Sequence, residues 1–167
     1  MNDILAIQNL LARFANHFDL KDWSALEDCL APQVFTDYSD LRGAPPETLA
    51  AAEYVCLRRE ALAPLGTHHL LGNLEIDFLD SGHAICRASM LIWRVQGVPQ
   101  GAIVQTATDE FHTHCLYRFE LVRQDAVWKI SGITQKMLWN TGRAQIHAGV
   151  RMQTTGATST APRPAQA

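Results

Sequence analysis

Between residues 4 and 18 the apolar positions Ile4, Ile7, Leu11, Phe14 and Phe18 recur at the three- and four-residue spacing of an amphipathic helix, and Asp3 stands where an N-cap belongs. A break at Asp19-Leu20-Lys21 follows. Trp23, Leu26 and Leu30 then share one face of a short second helix, which Pro32 ends. A strand is predicted over residues 34–39. Leu41-Arg42-Gly43 reads as a turn, and Pro45-Pro46 suits the opening of a third helix that runs to about Ala63. Beyond Gly66 the period drops to two. Residues 68–79 alternate Leu70, Leu74, Ile76 and Phe78 with Asn73, Glu75 and Asp77, and Asp80-Ser81-Gly82 is a turn signal. Further strands are predicted over 83–95, within 103–123 and over 127–139.

Helices followed by hairpin-linked strands imply an α+β fold: a curved, mostly antiparallel sheet wrapped as a cone around three N-terminal helices, enclosing one hydrophobic pocket. This domain is expected to span residues 1–142. Residues 143–167 form a C-terminal extension, and the small, polar, Pro-containing stretch 154–167 reads as a flexible tail.

Composition narrows the function classes. A net charge of −3 with scattered basic residues argues against nucleic acid as a partner. No apolar run approaches the roughly 20 residues that cross a bilayer, so no membrane association is expected. The first residues lack a basic leader, and the expected location is the cytoplasm. Cys29, Cys56, Cys86 and Cys115 show no CxxC spacing and read as buried free thiols.

Two adjacent histidines, in GTHHLLGN, raise the question of a metal site. Neighbours on a strand point to opposite faces, so His68 and His69 cannot readily chelate one ion. His112 and His114 do share a face, but the apolar Phe111, Cys115, Tyr117 and Phe119 claim the other one, which turns both histidines outward. No metal and no cofactor is expected. Neither a GxSxG elbow nor a phosphate-cradling glycine loop is present. Phe14, Phe18, Trp23, Trp93 and Trp139 are most simply core and pocket lining. Tyr38, in TDYSD, fits equally a packing aromatic and a hydrogen-bond donor to a substrate oxygen.

Element order and four segments, FDLKDWSAL, VFTDYSD, THHLLGN and VWKISGI, make the chain resemble the superfamily named after nuclear transport factor 2. Within it, the chain is most similar to the SnoaL-like branch that includes the scytalone dehydratases. The resemblance covers roughly residues 3–140. It implies an Asp–His dyad of Asp19 and His69 that removes a proton while a leaving group departs, with Tyr38 assisting. By the same alignment Trp93 or Arg94 stands where scytalone dehydratase has a second histidine, Cys115 and Tyr117 fall near its polar pair, and Phe18 replaces a tyrosine. Dehydration of scytalone itself is therefore not expected.

The chemistry requires an imidazole held by an acceptor, which a carboxylate supplies best. Asp19 also suits a plain helix-end role, and His69 a satisfied core position. Simple alternation even puts His68, not His69, in phase with Leu70, Leu74 and Ile76; a bulge near Gly72 would restore His69. The resulting expectation is a cofactor-independent, dehydratase-type lyase acting on a small hydrophobic cyclic molecule. An isomerase or polyketide cyclase would use the same dyad. A non-catalytic binding module and a subunit like the small chain of ring-hydroxylating dioxygenases are the remaining alternatives. A homodimer or homotrimer is the expected assembly.

Overall fold

The computed structural model describes residues 3–97 and 109–147. Helix α1 (Asp3–Leu20) and the short α2 (Trp23–Glu27) lead into strand β1 (Leu30–Asp37). A helical turn, α3 (Ser39–Arg42), precedes the short β2 (Glu47–Ala50) and α4 (Ala51–Leu62). Four long strands follow: β3 (Leu65–Phe78), β4 (His83–Gln96), β5 (Glu110–Gln124) and β6 (Val127–Gly142), then a 3-10 turn over Ala144–Ile146. One curved sheet runs in the order β2-β1-β6-β5-β4-β3, antiparallel throughout except where β1 lies parallel to β6. The α+β class and the mostly antiparallel sheet are those the sequence implies.

The sheet's inner face closes over α1. Ile7, Leu10, Leu11, Phe14 and Phe18 of the helix meet Cys86, Met90, Phe119, Leu121, Ile130 and Ile133 of the strands in one core. Phe14 packs edge-on against Phe18 and Phe119, with ring centroids 5.1 and 5.8 Å away. Each such buried ring contributes roughly 1.5–3 kcal/mol.

Several predicted boundaries change. The third helix does not begin at Pro45-Pro46: residues 47–50 extend to pair with β1, Thr36 opposite Glu47, and only then does α4 start. Helix α2 stops at Glu27, so Leu30 belongs to β1 rather than to α2; Pro32 lies within β1, where the irregular register between Leu30 and Phe35 accommodates a residue with no N–H. Leu41-Arg42-Gly43 is the end of a helical turn, closed by Gly43 at φ 71 with its N–H on Ser39 O at 2.7 Å. Three of the thiols are buried, but Cys56 is half-exposed on α4. The beginning of the strand predicted within 103–123 and the tail 154–167 lie outside the described residues.

The phase of β3 is decided by a bulge. Gly72 pairs with Ser89 but Glu75 pairs with Arg87, so one extra residue sits on β3, where Asn73 takes φ 52. Ahead of it, Leu65, Thr67, His69 and Leu71 point inward. Beyond it, Leu74 and Ile76 do. His68 and Leu70 are exposed.

Candidate active site

Helix α1 ends in a way that fixes a carboxylate. Lys21 sits in the left-handed region at φ 58, Lys21 N donates to Phe18 O at 3.4 Å and Asp22 N to His17 O at 3.0 Å, the paired bonds of a Schellman cap. Glycine usually fills that position. Here the lysine side chain returns to the sheet, with Nζ donating to Thr67 Oγ1 at 2.8 Å. Asp19, in the last turn, therefore projects at β3. Its Oδ2 accepts from the backbone N–H of His69 at 2.8 Å, and its Oδ1 lies 2.6 Å from His69 Nδ1. The two contacts fix both position and tautomer: Nδ1 carries the proton and Nε2 stays basic.

The His69 side chain is only 6% exposed and its ring lies 5.2 Å from that of Phe18. Burial lowers its pKa from the usual imidazole value, while the hydrogen bond and charge of Asp19 pull it back up. At neutral pH the imidazole is thus an uncharged base with a carboxylate behind it. Lys21 falls to about 8, because burial outweighs the attraction of Asp19.

In front of His69 lies a cavity of about 40 Å³, lined also by Phe14, Phe18, Met90 and Ile92. That is room for roughly three water molecules. Tyr38 and Tyr54 share a hydroxyl–hydroxyl hydrogen bond of 2.9 Å at its wall. Tyr54 comes from α4, four residues before Arg58, and its burial raises the phenol pKa well above the ordinary value, so it stays protonated. The same holds for Tyr117. Arg42, Arg58 and Arg94 complete the wall, together with Gln135 and His147.

The SnoaL-like domain model matches residues 1–134. The chain belongs to the SnoaL-like domain family. A scytalone dehydratase of Aspergillus fumigatus is 26% identical over 148 residues, covering 83% of this chain and 84% of that protein. A scytalone dehydratase-like protein of Passalora fulva is 38% identical over 74 residues, 44% of this chain and 41% of the relative. Among solved structures, the Kfla4162 protein of Kribbella flavida superposes with a TM-score of 0.76 at 22% identity, covering 86% of this chain and 95% of that one. A type 2 hexachlorocyclohexane dehydrochlorinase superposes at 0.68 with 22% identity, covering 87% and 91%.

In this SnoaL-like domain the structure brings together only part of the predicted site. His69, Tyr38, Phe14, Phe18, Arg94 and Tyr117 line the cavity, with Asp19 behind His69. Trp93 and Trp139 do not. On β4, Met90, Ile92 and Arg94 are the inward residues, so Trp93 falls on the outer face, stacked on His68 at 5.6 Å. Trp139 is 54% exposed and stacks on His114 at 4.5 Å. Trp23 braces the helix end instead, edge-on to Phe18 and with Lys21 Nζ 5.8 Å from its ring. Cys115 faces inward but lies behind Gln135, whose Nε2 donates to its sulfur at 3.2 Å. Among the described residues no cluster of metal-ligating side chains forms, and His112 instead faces Glu110 at 3.3 Å.

The polar lining residues Arg42, Tyr54, Arg58, Gln135 and His147 are not singled out by the sequence pattern. Tyr54 and Arg58 are one helical turn apart beside Val55 and Leu62, a spacing that marks the buried face of α4. Nothing local marks His147, which follows the 3-10 turn in the patternless extension and is 4% exposed.

Proposed function

We propose that this protein is a cofactor-independent lyase of the dehydratase type, with His69 as general base. His69 Nε2 takes a proton from a carbon next to a carbonyl. The C–H electron pair becomes the enolate, which then expels a leaving group from the β carbon. Asp19 holds Nδ1–H and stabilises the imidazolium as it forms; Tyr38, backed by Tyr54, donates a hydrogen bond to the carbonyl or the departing oxygen. These are acid–base steps and require no redox or metal partner. The observation that carries the reading is the 2.6 Å contact between Asp19 Oδ1 and Nδ1 of a buried imidazole at a cavity wall. Similarity to a scytalone dehydratase over most of both chains supports the reaction class.

The test is a panel of cyclic β-hydroxy ketones followed by enone absorbance, with carbon-bound deuterium uptake in heavy water read in parallel. Wild-type protein should catalyse both, and His69→Ala neither. Exchange without enone would make it an isomerase or cyclase that shares the first step. Absence of both in the wild type would reduce the cavity to a binding site.

The outer face exposes Leu70, Leu116, Leu138 and Trp139, and this supports self-association as a homodimer or homotrimer, which sedimentation would read directly.

A further inference from the structure

The cavity wall carries an unusual charge balance. Arg58 and Arg94 are 7% and 3% exposed, and the Nε atoms of Arg42, Arg58 and Arg94 are all buried without a hydrogen-bond partner. No carboxylate pairs with any of the three among the described residues, and the remainder of the chain has no Asp or Glu side chain to offer. Four arginines nearer the surface do have carboxylate partners: Arg87 pairs with Asp77, Arg118 with Glu120, Arg123 with Asp3 and Arg143 with Asp109. Carboxylates thus pair with arginines at the surface, where a pair is worth little, and not with these three, where an unpaired charge is most costly.

Aromatic faces offset part of that cost. Arg42 and Arg58 lie 5.7 and 5.1 Å from the Tyr38 ring, Arg58 also 5.3 Å from Tyr54, and Arg94 lies 5.5 Å from Phe111. Arg94 has one further partner, Thr113 Oγ1 at 3.0 Å. The Nε–H donors of all three stay unused, and guanidinium N–H groups are what reads a carboxylate. His147 adds two more buried ring nitrogens without a partner. Asp19, behind His69, is spent on that ring.

We propose that the substrate carries an anionic oxygen group, a carboxylate in the simplest case, which seats among Arg42, Arg58 and Arg94 while Phe14, Phe18, Met90 and Ile92 hold its apolar part. The inference deepens the proposed function and rests on reading this cavity as the substrate site. Placement fits the chemistry. Thr67 pairs with Arg94 and His69 with Ile92, so Arg94 and His69 are diagonal neighbours on one face of the β3–β4 ladder, roughly 7–8 Å apart. A carboxylate on Arg94 therefore leaves a carbon one or two bonds away within reach of the base. The cavity of about 40 Å³ is too small for a ring as it stands, so a cyclic substrate requires the lining side chains to move apart as it enters.

Binding of two isosteric pairs tests this without any turnover: acetate against acetamide, small enough for the present cavity, and benzoate against benzamide. Calorimetry on the wild type should show at least one anion bound tenfold or more tightly than its amide. Arg58→Gln and Arg94→Gln should each remove roughly tenfold of that preference, while Arg58→Lys, which keeps the charge, should retain part of it. His69→Ala should keep the preference in full, which separates this site from the dyad: lost turnover with retained anion binding would leave both readings standing. Equal affinity for acid and amide, absence of anion binding, or glutamine variants that bind anions as the wild type does would each overturn it.

Discussion

His68 and His69 are neighbours in sequence and opposites in every physical respect. One is exposed, stacked on Trp93 on the sheet's outer face; the other is buried, clamped by Asp19 and set against the cavity. The same contrast runs along the whole sheet. The inner face holds uncharged imidazoles among unpaired guanidiniums, and the outer face holds histidines beside tryptophans and a glutamate. Residue type alone says nothing about chemistry here; strand phase, burial and one carboxylate decide it.

The most severe way to break the contrast is to remove the bulge. Deleting Asn73 would force either His69 or the pair Leu74 and Ile76 to the wrong face. The expected loss is on the order of 5 kcal/mol, comparable with a domain's whole stability, and denaturant unfolding would read it. Native-like stability in the deletion would refute this account of β3.

Next in size is the dyad. His69→Ala or Asp19→Asn should lower turnover by about 10²–10⁴-fold, while His68→Ala changes it little. Asp19→Asn should also cost about 1–3 kcal/mol, because the buried His69 contacts lose a charged acceptor. Equal effects at 68 and 69 would erase the distinction between the faces.

Acid should separate inner from outer histidines. His147 is held down to about 2 by burial, and then by Arg94, Arg42 and Arg58; His69 is lowered too. A depressed folded-state value means the unfolded chain takes the proton first. Stability is therefore complete above about pH 6.5 and declines as pH falls, with His147 alone contributing up to ~2 kcal/mol of loss by about pH 5. His147→Gln should flatten that slope, as comparison of denaturant midpoints at the two pH values would show. An unchanged slope would mean that His147 leaves its site without cost.

The smallest effect belongs to the bulge residue's backbone. Asn73 at φ 52 should tolerate glycine almost neutrally, whereas Asn73→Ala should cost about 1 kcal/mol, measured by thermal melting.

Much of this fold was readable from periodicity. Helix α1 and the long strands announce themselves because each has one buried and one exposed face. What escaped has physical causes. β2 is a four-residue edge strand whose pairing partner lies elsewhere in the chain, so no local pattern encodes it. Aromatic character suggests a cavity role for Trp93 and Trp139, and the family resemblance adds to it for Trp93, yet alternation from Ile92 and Arg94 places Trp93 outside. His69 over His68 required a bulge that the bare alternation denied, although the Gly72-Asn73 pair marked its place. Arg58 and His147 could not be found by hydrophobic patterning, since both are polar groups buried for reasons other than the core.

The parallel pairing of β1 with β6 has a consequence for synthesis. Asp40, just past β1, accepts from the backbone of Met137 in β6, 97 residues further on. During translation β1 can pair with β2 and α1 can pack on β3, but the other edge of β1 stays open until the last strand emerges. Lateral hairpins β3–β4 and β5–β6 can assemble earlier, because their partners are adjacent in the chain. Closure of the sheet, and with it the completed cavity, is a late event, so this protein should fold slowly for its size.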